Sequence, residues 1–216
     1  MLPPSSYVRA AYQRGRGIEE EHTMRRTICL TAPLAGLLLT AAVPALAHPG
    51  HEASGFLHPF TGVDHLLAMV GVGLWAAMLA VRKPAAAFLV PGAFVVMMAI
   101  GAAAGFAGIK LPLVEAVILA SVFVIGGLLI GAVRLPAAWA MALVGLFAAF
   151  HGYAHALEAP AMEAGTYILG FLMATALLQG LGLGLGWVVR RAVGDVGVRA
   201  LGGVMLAAGA VVLITN

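Results

Sequence analysis

The sequence predicts an all-α integral membrane protein, with six transmembrane helices after a cleaved signal peptide. Three observations carry that prediction. Hydrophobic residues make up 62% of the chain and charged residues only 10%, where a soluble domain usually carries about 25% charged residues. The apolar residues gather in runs close to the ~20 residues that a helix needs to cross a bilayer. The breaks between runs hold proline and basic residues. This composition excludes disorder, which requires low hydrophobicity and high net charge. Six spans in 216 residues leave no room for a sizeable soluble domain. The pI near 9.4 and net charge of +3 do not point to nucleic acid, because basic residues beside spans follow the positive-inside rule.

The elements follow in order. Residues 1–23 are polar and lack an apolar period, and they read as an N-terminal extension upstream of a true start at Met24. Met24-Arg25-Arg26-Thr27 is a charged leader start, Ile28 to Val43 is an apolar run, and Ala45-Leu46-Ala47 is a small-residue cleavage signal. Together they predict a secretory signal peptide over 24–47, with His48 opening the mature chain. The alternative is an uncleaved first span over 28–47. The one cysteine, Cys29, lies in the leader, so neither a disulfide framework nor a thiolate metal site is expected.

The mature domain, 48–216, holds six apolar stretches at about 62–81, 86–109, 111–133, 136–155, 165–189 and 196–215. Arg82-Lys83-Pro84, Lys110-Leu111-Pro112 and Arg134-Leu135-Pro136 punctuate the first four, and Arg190-Arg191 to Arg199 reads as the last loop. Export of His48 places Arg82, Lys83, Arg134, Arg190, Arg191 and Arg199 in inward loops and only Lys110 outside. That asymmetry obeys the positive-inside rule independently of the leader. The expected location is a bacterial inner membrane, multi-pass, with both mature termini periplasmic. Gly101/Gly105, Gly127/Gly131 and Gly180/Gly184 stand four apart within spans, the spacing at which small residues let helices pack closely in lipid. The ten methionines are scattered and read as packing.

Polar residues inside this frame point to chemistry. Setting aside His22 in the leader region, six histidines remain: His48, His51, His58, His65, His151 and His155. All fall toward the outer side of the expected topology, with Asp64, Glu115 and Glu158. His151, His155 and Glu158 are spaced i, i+4 and i+7, so they share one helix face over two turns. Pro59 disfavours helix at His58. His58 is therefore expected just before the first helix, with Asp64 and His65 in its second turn. Those two diverge by about 100°, so one can meet a metal while the other orients it. A lone histidine in a span is readily explained by an interhelical hydrogen bond. Four histidines with Asp64 and two glutamates on one side are not, and ionisable groups in spans are functional by default, here as metal ligands or, in a second reading, as a proton relay.

The donor set is imidazole plus carboxylate without thiolate, which suits Ni²⁺, Co²⁺, Zn²⁺ or Fe²⁺ better than Cu(I) or Fe–S. His48 would present an α-amine beside its imidazole, with His51 three residues on, as a capture site for such a cation. Glu52 and Glu115 are further candidate ligands; for Glu115, relay and helix N-terminal charge are equally open. No phosphate-binding G-x-x-x-x-G-K-[ST] and no H-E-x-x-H occurs, so no ATPase and no membrane zincin is expected, and the chain reads as a non-enzyme. Two other readings stand beside metal transport. One is a b-type haem protein with His65 and His151 as axial ligands. The other is a metal sensor or accessory protein without net flux. No His or acid is singled out on the inward side.

The stretch His48-Pro-Gly-His51-Glu52, the element His58-Pro-Phe-Thr-Gly-Val-Asp64-His65 and the element Phe150-His151-Gly152-Tyr-Ala-His155 with Glu158 resemble the HupE/UreJ family. The resemblance covers the whole mature chain and its leader. It implies a nickel or cobalt permease, often associated with hydrogenase or urease maturation, in which Ni²⁺ or Co²⁺ is transported substrate and no cofactor is permanently bound. By that likeness His58, Asp64, His65, His151, His155 and Glu158 are metal-pathway residues, and His48 and His51 an N-terminal metal-binding element. The implied partners are the metal ion and the bilayer, with no nucleic acid; a homo-oligomer is compatible. One departure is Ala156, where the family pattern has glycine after the second fourth-span histidine.

Overall fold

The computed structural model describes residues 55–160 and 164–215. The extension, the signal peptide, His48, His51 and Glu52 lie outside the described residues. The described chain is all helical. A single 3-10 turn at His58–Phe60 precedes α1 (Val63–Ala80), α2 (Ala86–Phe106), α3 (Val114–Ile130), α4 (Ala137–Glu158), α5 (Ala164–Val193) and α6 (Asp195–Thr215). Five of these are long and apolar enough to cross a membrane, while α3, at 17 residues, is shorter. The expected stretches match these helices closely, with three differences of detail.

The first difference is at α1, which begins at Val63, so Asp64 and His65 stand in its first turn and not its second. His58 does precede the helix, held in the 3-10 turn whose second residue is Pro59. The second lies at the end of α5. Arg190 and Arg191 are helical, and Gly194 alone separates α5 from α6. Gly194 adopts a φ of +72°, a left-handed conformation that glycine enters without steric cost, so one residue suffices to reverse the chain. The third is in which glycines of the 180–186 run meet a neighbouring helix.

α1 sits at the centre and touches every other helix. Its Met69, Trp75, Ala76 and Met78 have no exposed surface. The buried Trp75 indole N–H is satisfied by donating to the Val133 carbonyl at 2.9 Å. Around α1 the largest contacts pair α2 with α4, α1 with α5, and α3 with α6. Glycine sets each of these approaches. A Cβ on Gly101 or Gly152 would overlap backbone across the α2–α4 contact, at Ala149 and Met98 respectively. A Cβ on Gly73 or Gly182 would do the same across α1–α5, at Gln179 and Val70. Gly126 and Gly202 face one another across α3–α6. In lipid, helices associate through such packing because no hydrophobic force drives them together. Of the pairs expected from sequence, Gly101/Gly105 lies at a helix contact. Gly127, Gly180 and Gly184 meet nothing within 4 Å, and the packing glycines of the 180–186 run are Gly182 and Gly186.

The two ends of the bundle differ in chemistry. At one end stand the start of α1, the end of α4 and the start of α5, which bring the described histidines together. The other end carries Arg82, Lys83, Arg134, Arg190, Arg191 and Arg199. There Asp195 accepts from Arg134 Nη2 at 2.5 Å and from Arg190 Nε at 2.8 Å, and Arg199 donates to the Ile130 carbonyl at 2.7 Å. An acid, Asp195, therefore does stand among the basic residues of that end, where no acid is expected from the sequence.

Candidate metal centre

Each histidine is oriented by its own local structure. Asp64, in the first turn of α1, accepts from the His65 backbone N–H at 2.8 Å and lies 2.8 Å from His65 Nδ1. A carboxylate so placed holds the proton on Nδ1 and leaves Nε2 with its lone pair, the arrangement by which carboxylates commonly orient ligating histidines. On α4, His151 Nδ1 lies 2.9 Å from the Phe147 carbonyl one turn back. A carbonyl can only accept, so Nδ1 donates and Nε2 again carries the free lone pair. Both Nε2 atoms are buried and without a hydrogen-bond partner.

His155 follows one turn after His151, and both are fully buried. The continuous helix through Glu158 gives the shared face that the spacing predicts. Glu158 Oε2 lies 3.1 Å from His155 Nδ1 and 2.9 Å from His58 Nε2. The Glu158 carboxylate is the polar neighbour of the His155 ring at Nδ1, and the buried Nε2 has no hydrogen-bond partner among the described residues. His58, His155 and Glu158 each offer a donor atom, and these all lie within 4.8 Å of one another. Donors about 2.1 Å from a shared ion stand no more than ~4.2 Å apart, so a small contraction would close this set around a cation.

The rings form a chain running inward from the surface. Ring centroids are 4.9 Å apart for His58–His155, 4.6 Å for His155–His65 and 5.1 Å for His65–His151. Aromatic walls bound it. The Phe171 ring lies 3.6 Å from His155, Phe94 5.7 Å from His151 and Tyr167 5.8 Å from His58. Those walls come from α2 and α5 and carry no sequence signal. Buried polar atoms normally find partners, so three buried imidazole Nε2 atoms without one, on His65, His151 and His155, mark a place that suits a borderline divalent cation, which neutral imidazole and carboxylate bind well.

The structure thus draws together His58, Asp64, His65, His151, His155 and Glu158. Glu115 stands apart, exposed in the first turn of α3. Ala156 is buried, and a Cβ on Gly105 of α2 would come 2.7 Å from its methyl. The extra methyl at 156 is therefore accommodated by a glycine on the facing helix, away from the donor atoms.

A multi-helix apolar bundle with a histidine–carboxylate cluster at one end defines the class. The HupE / UreJ protein family model matches residues 36–212, and the chain belongs to that family. It is 43% identical over 190 residues to Protein HupE of Rhizobium leguminosarum bv. viciae, covering 86% of this chain and 97% of that protein. No solved structure matches the chain.

Proposed function

We propose that this protein is a six-span secondary transporter that carries Ni²⁺ or Co²⁺ across the bacterial inner membrane into the cytoplasm. The observation that carries the reading is the donor set of His58, His155 and Glu158 within 4.8 Å, continuous with the oriented rings of His65 and His151. Family membership supports nickel or cobalt as cargo and a role in supplying hydrogenase or urease. At 17 residues α3 stands at the lower edge of spanning length, and its place in the bundle with α1 and α6 supports counting it as a span. The six basic residues at the end opposite the histidines support an inward-facing basic end. On this reading His48 and His51 capture the ion outside, and the ring chain hands it into the bundle.

The haem alternative fits the geometry poorly. His65 and His151 are in direct edge-to-face contact at 5.1 Å, with no slot between them for a planar macrocycle.

The test is uptake of radiolabelled Ni²⁺ at submicromolar metal in a transport-deficient host, comparing wild type with His151→Ala and using Co²⁺ and Zn²⁺ as competitors. Wild-type uptake that is lost in the variant is the expected result, and the competition order ranks the metals. A well-expressed wild type that binds Ni²⁺ without accumulating it would overturn transport in favour of a sensor or accessory role.

A further inference from the structure

Inward of the histidines, the bundle centre holds polar and thioether groups that the metal centre does not use. Thr175 of α5 has no exposed surface, and its Oγ1 lies 3.4 Å from Met69 Sδ and 3.6 Å from Met98 Sδ. Both methionines are completely buried. Met69 is one turn beyond His65 on α1, and Thr175 is one turn beyond Phe171, whose ring packs on His155. One further turn along the same face of α5 stands Gln179. It is 1% exposed, and neither its side-chain oxygen nor its nitrogen has a partner.

That amide is costly where it stands. A buried donor or acceptor left unsatisfied bears its full desolvation penalty, and leucine or methionine would fill a similar volume without that penalty. Its neighbours argue against simple packing, because Gln179 continues a line of donors. From Phe171 to Gln179 is eight residues, or roughly 12 Å of helix, a large part of the ~30 Å hydrocarbon core. All the side-chain donors on this line are neutral: two thioethers, a hydroxyl and an amide. Neutral donors hold a divalent cation more weakly than the imidazole–carboxylate cluster does. Conduction needs that weakness, since an ion must leave each site it enters.

We propose that Met69, Met98, Thr175 and Gln179 form the inner leg of the metal path, a transit site that receives the divalent cation from the histidine cluster. The inference rests on the transport reading above. It revises the reading of two methionines as packing alone, and gives the inward half of the bundle its own ligands.

The test compares Gln179→Leu with Gln179→Met in the full-length protein. The two replacements are alike in volume and apolarity and differ in the thioether lone pairs. Ni²⁺ uptake is measured in cells, and Ni²⁺ binding to the purified protein by calorimetry. Gln179→Leu is expected to lower uptake by about tenfold or more, the effect of withdrawing one stabilising group from a transit barrier, with Ni²⁺ affinity at the histidine cluster unchanged. Gln179→Met is expected to retain substantially more uptake than Gln179→Leu. Wild-type-like uptake in Gln179→Leu, or equal loss in both variants, would overturn the transit site while leaving the transport reading intact. A wild type without uptake would refute the transport reading and this inference with it.

Discussion

The ligand candidates could be named from spacing, but their orientation could not. His151, His155 and Glu158 share a face because any continuous helix would place them so. Which nitrogen of each ring is free depends on partners that spacing does not reveal. For His151 the partner is a carbonyl in its own helix, at Phe147. For His65 it is the preceding residue, Asp64. The adjacency of Asp64 and His65 suggested that one serves the other, and the contact shows the carboxylate acting on the ring. Asp64→Asn should therefore weaken metal binding without removing a donor ring. The expected loss in Ni²⁺ affinity is about 10–100-fold, typical of a lost orienting partner. Calorimetry on the purified, folded variant would show it, and an unchanged affinity would mean that His65 is held by packing alone. Phe171, Thr175 and Gln179 were not legible at this scale, since their significance comes from which helix faces α5.

At the scale of the element, hydropathy located all six helices to within a few residues. It worked because each helix is apolar around most of its circumference and is bounded by Pro, Gly or charge. It failed at Gly194, where one glycine does the work of the loop expected between Arg190 and Arg199. It also could not say which glycines of the 180–186 run meet a neighbour. The four-residue spacing fits Gly180/Gly184 and Gly182/Gly186 equally, and only the rotation of α5 against α1 chooses between them. That choice is testable with a matched pair. Gly182→Val would drive a side chain into the Val70 backbone, and is expected to destabilise the bundle by about 1–3 kcal/mol, the usual cost of overpacking. Gly180→Val meets open space and should leave stability unchanged. Thermal unfolding in detergent would separate the two, and similar midpoints for both variants would contradict the α1–α5 contact.

At the scale of the molecule, the functional division is between two ends. The histidine end is tied together by Glu158, which bridges His58 and His155, and by the Leu111 N–H that donates to the Tyr153 hydroxyl at 3.3 Å. The opposite end is tied by Asp195, which joins the α3–α4 connection to the junction of α5 and α6 through Arg134 and Arg190. Charge counting along the sequence foresaw this polarity, but the sign of the polarity relative to the cell is a separate matter, and the direction of the proposed transport depends on it. The chain allows a direct check because its one cysteine is Cys29. In a Cys29→Ser background, Ala107→Cys sits at the histidine end and Ala85→Cys at the basic end. Both positions are exposed, and neither change alters a charge. A membrane-impermeant maleimide applied to spheroplasts should label Ala107→Cys at once, and Ala85→Cys only after the membrane is permeabilised. The reverse pattern would place the histidines on the cytoplasmic side, and the same ring chain would then load metal from within and favour export over uptake.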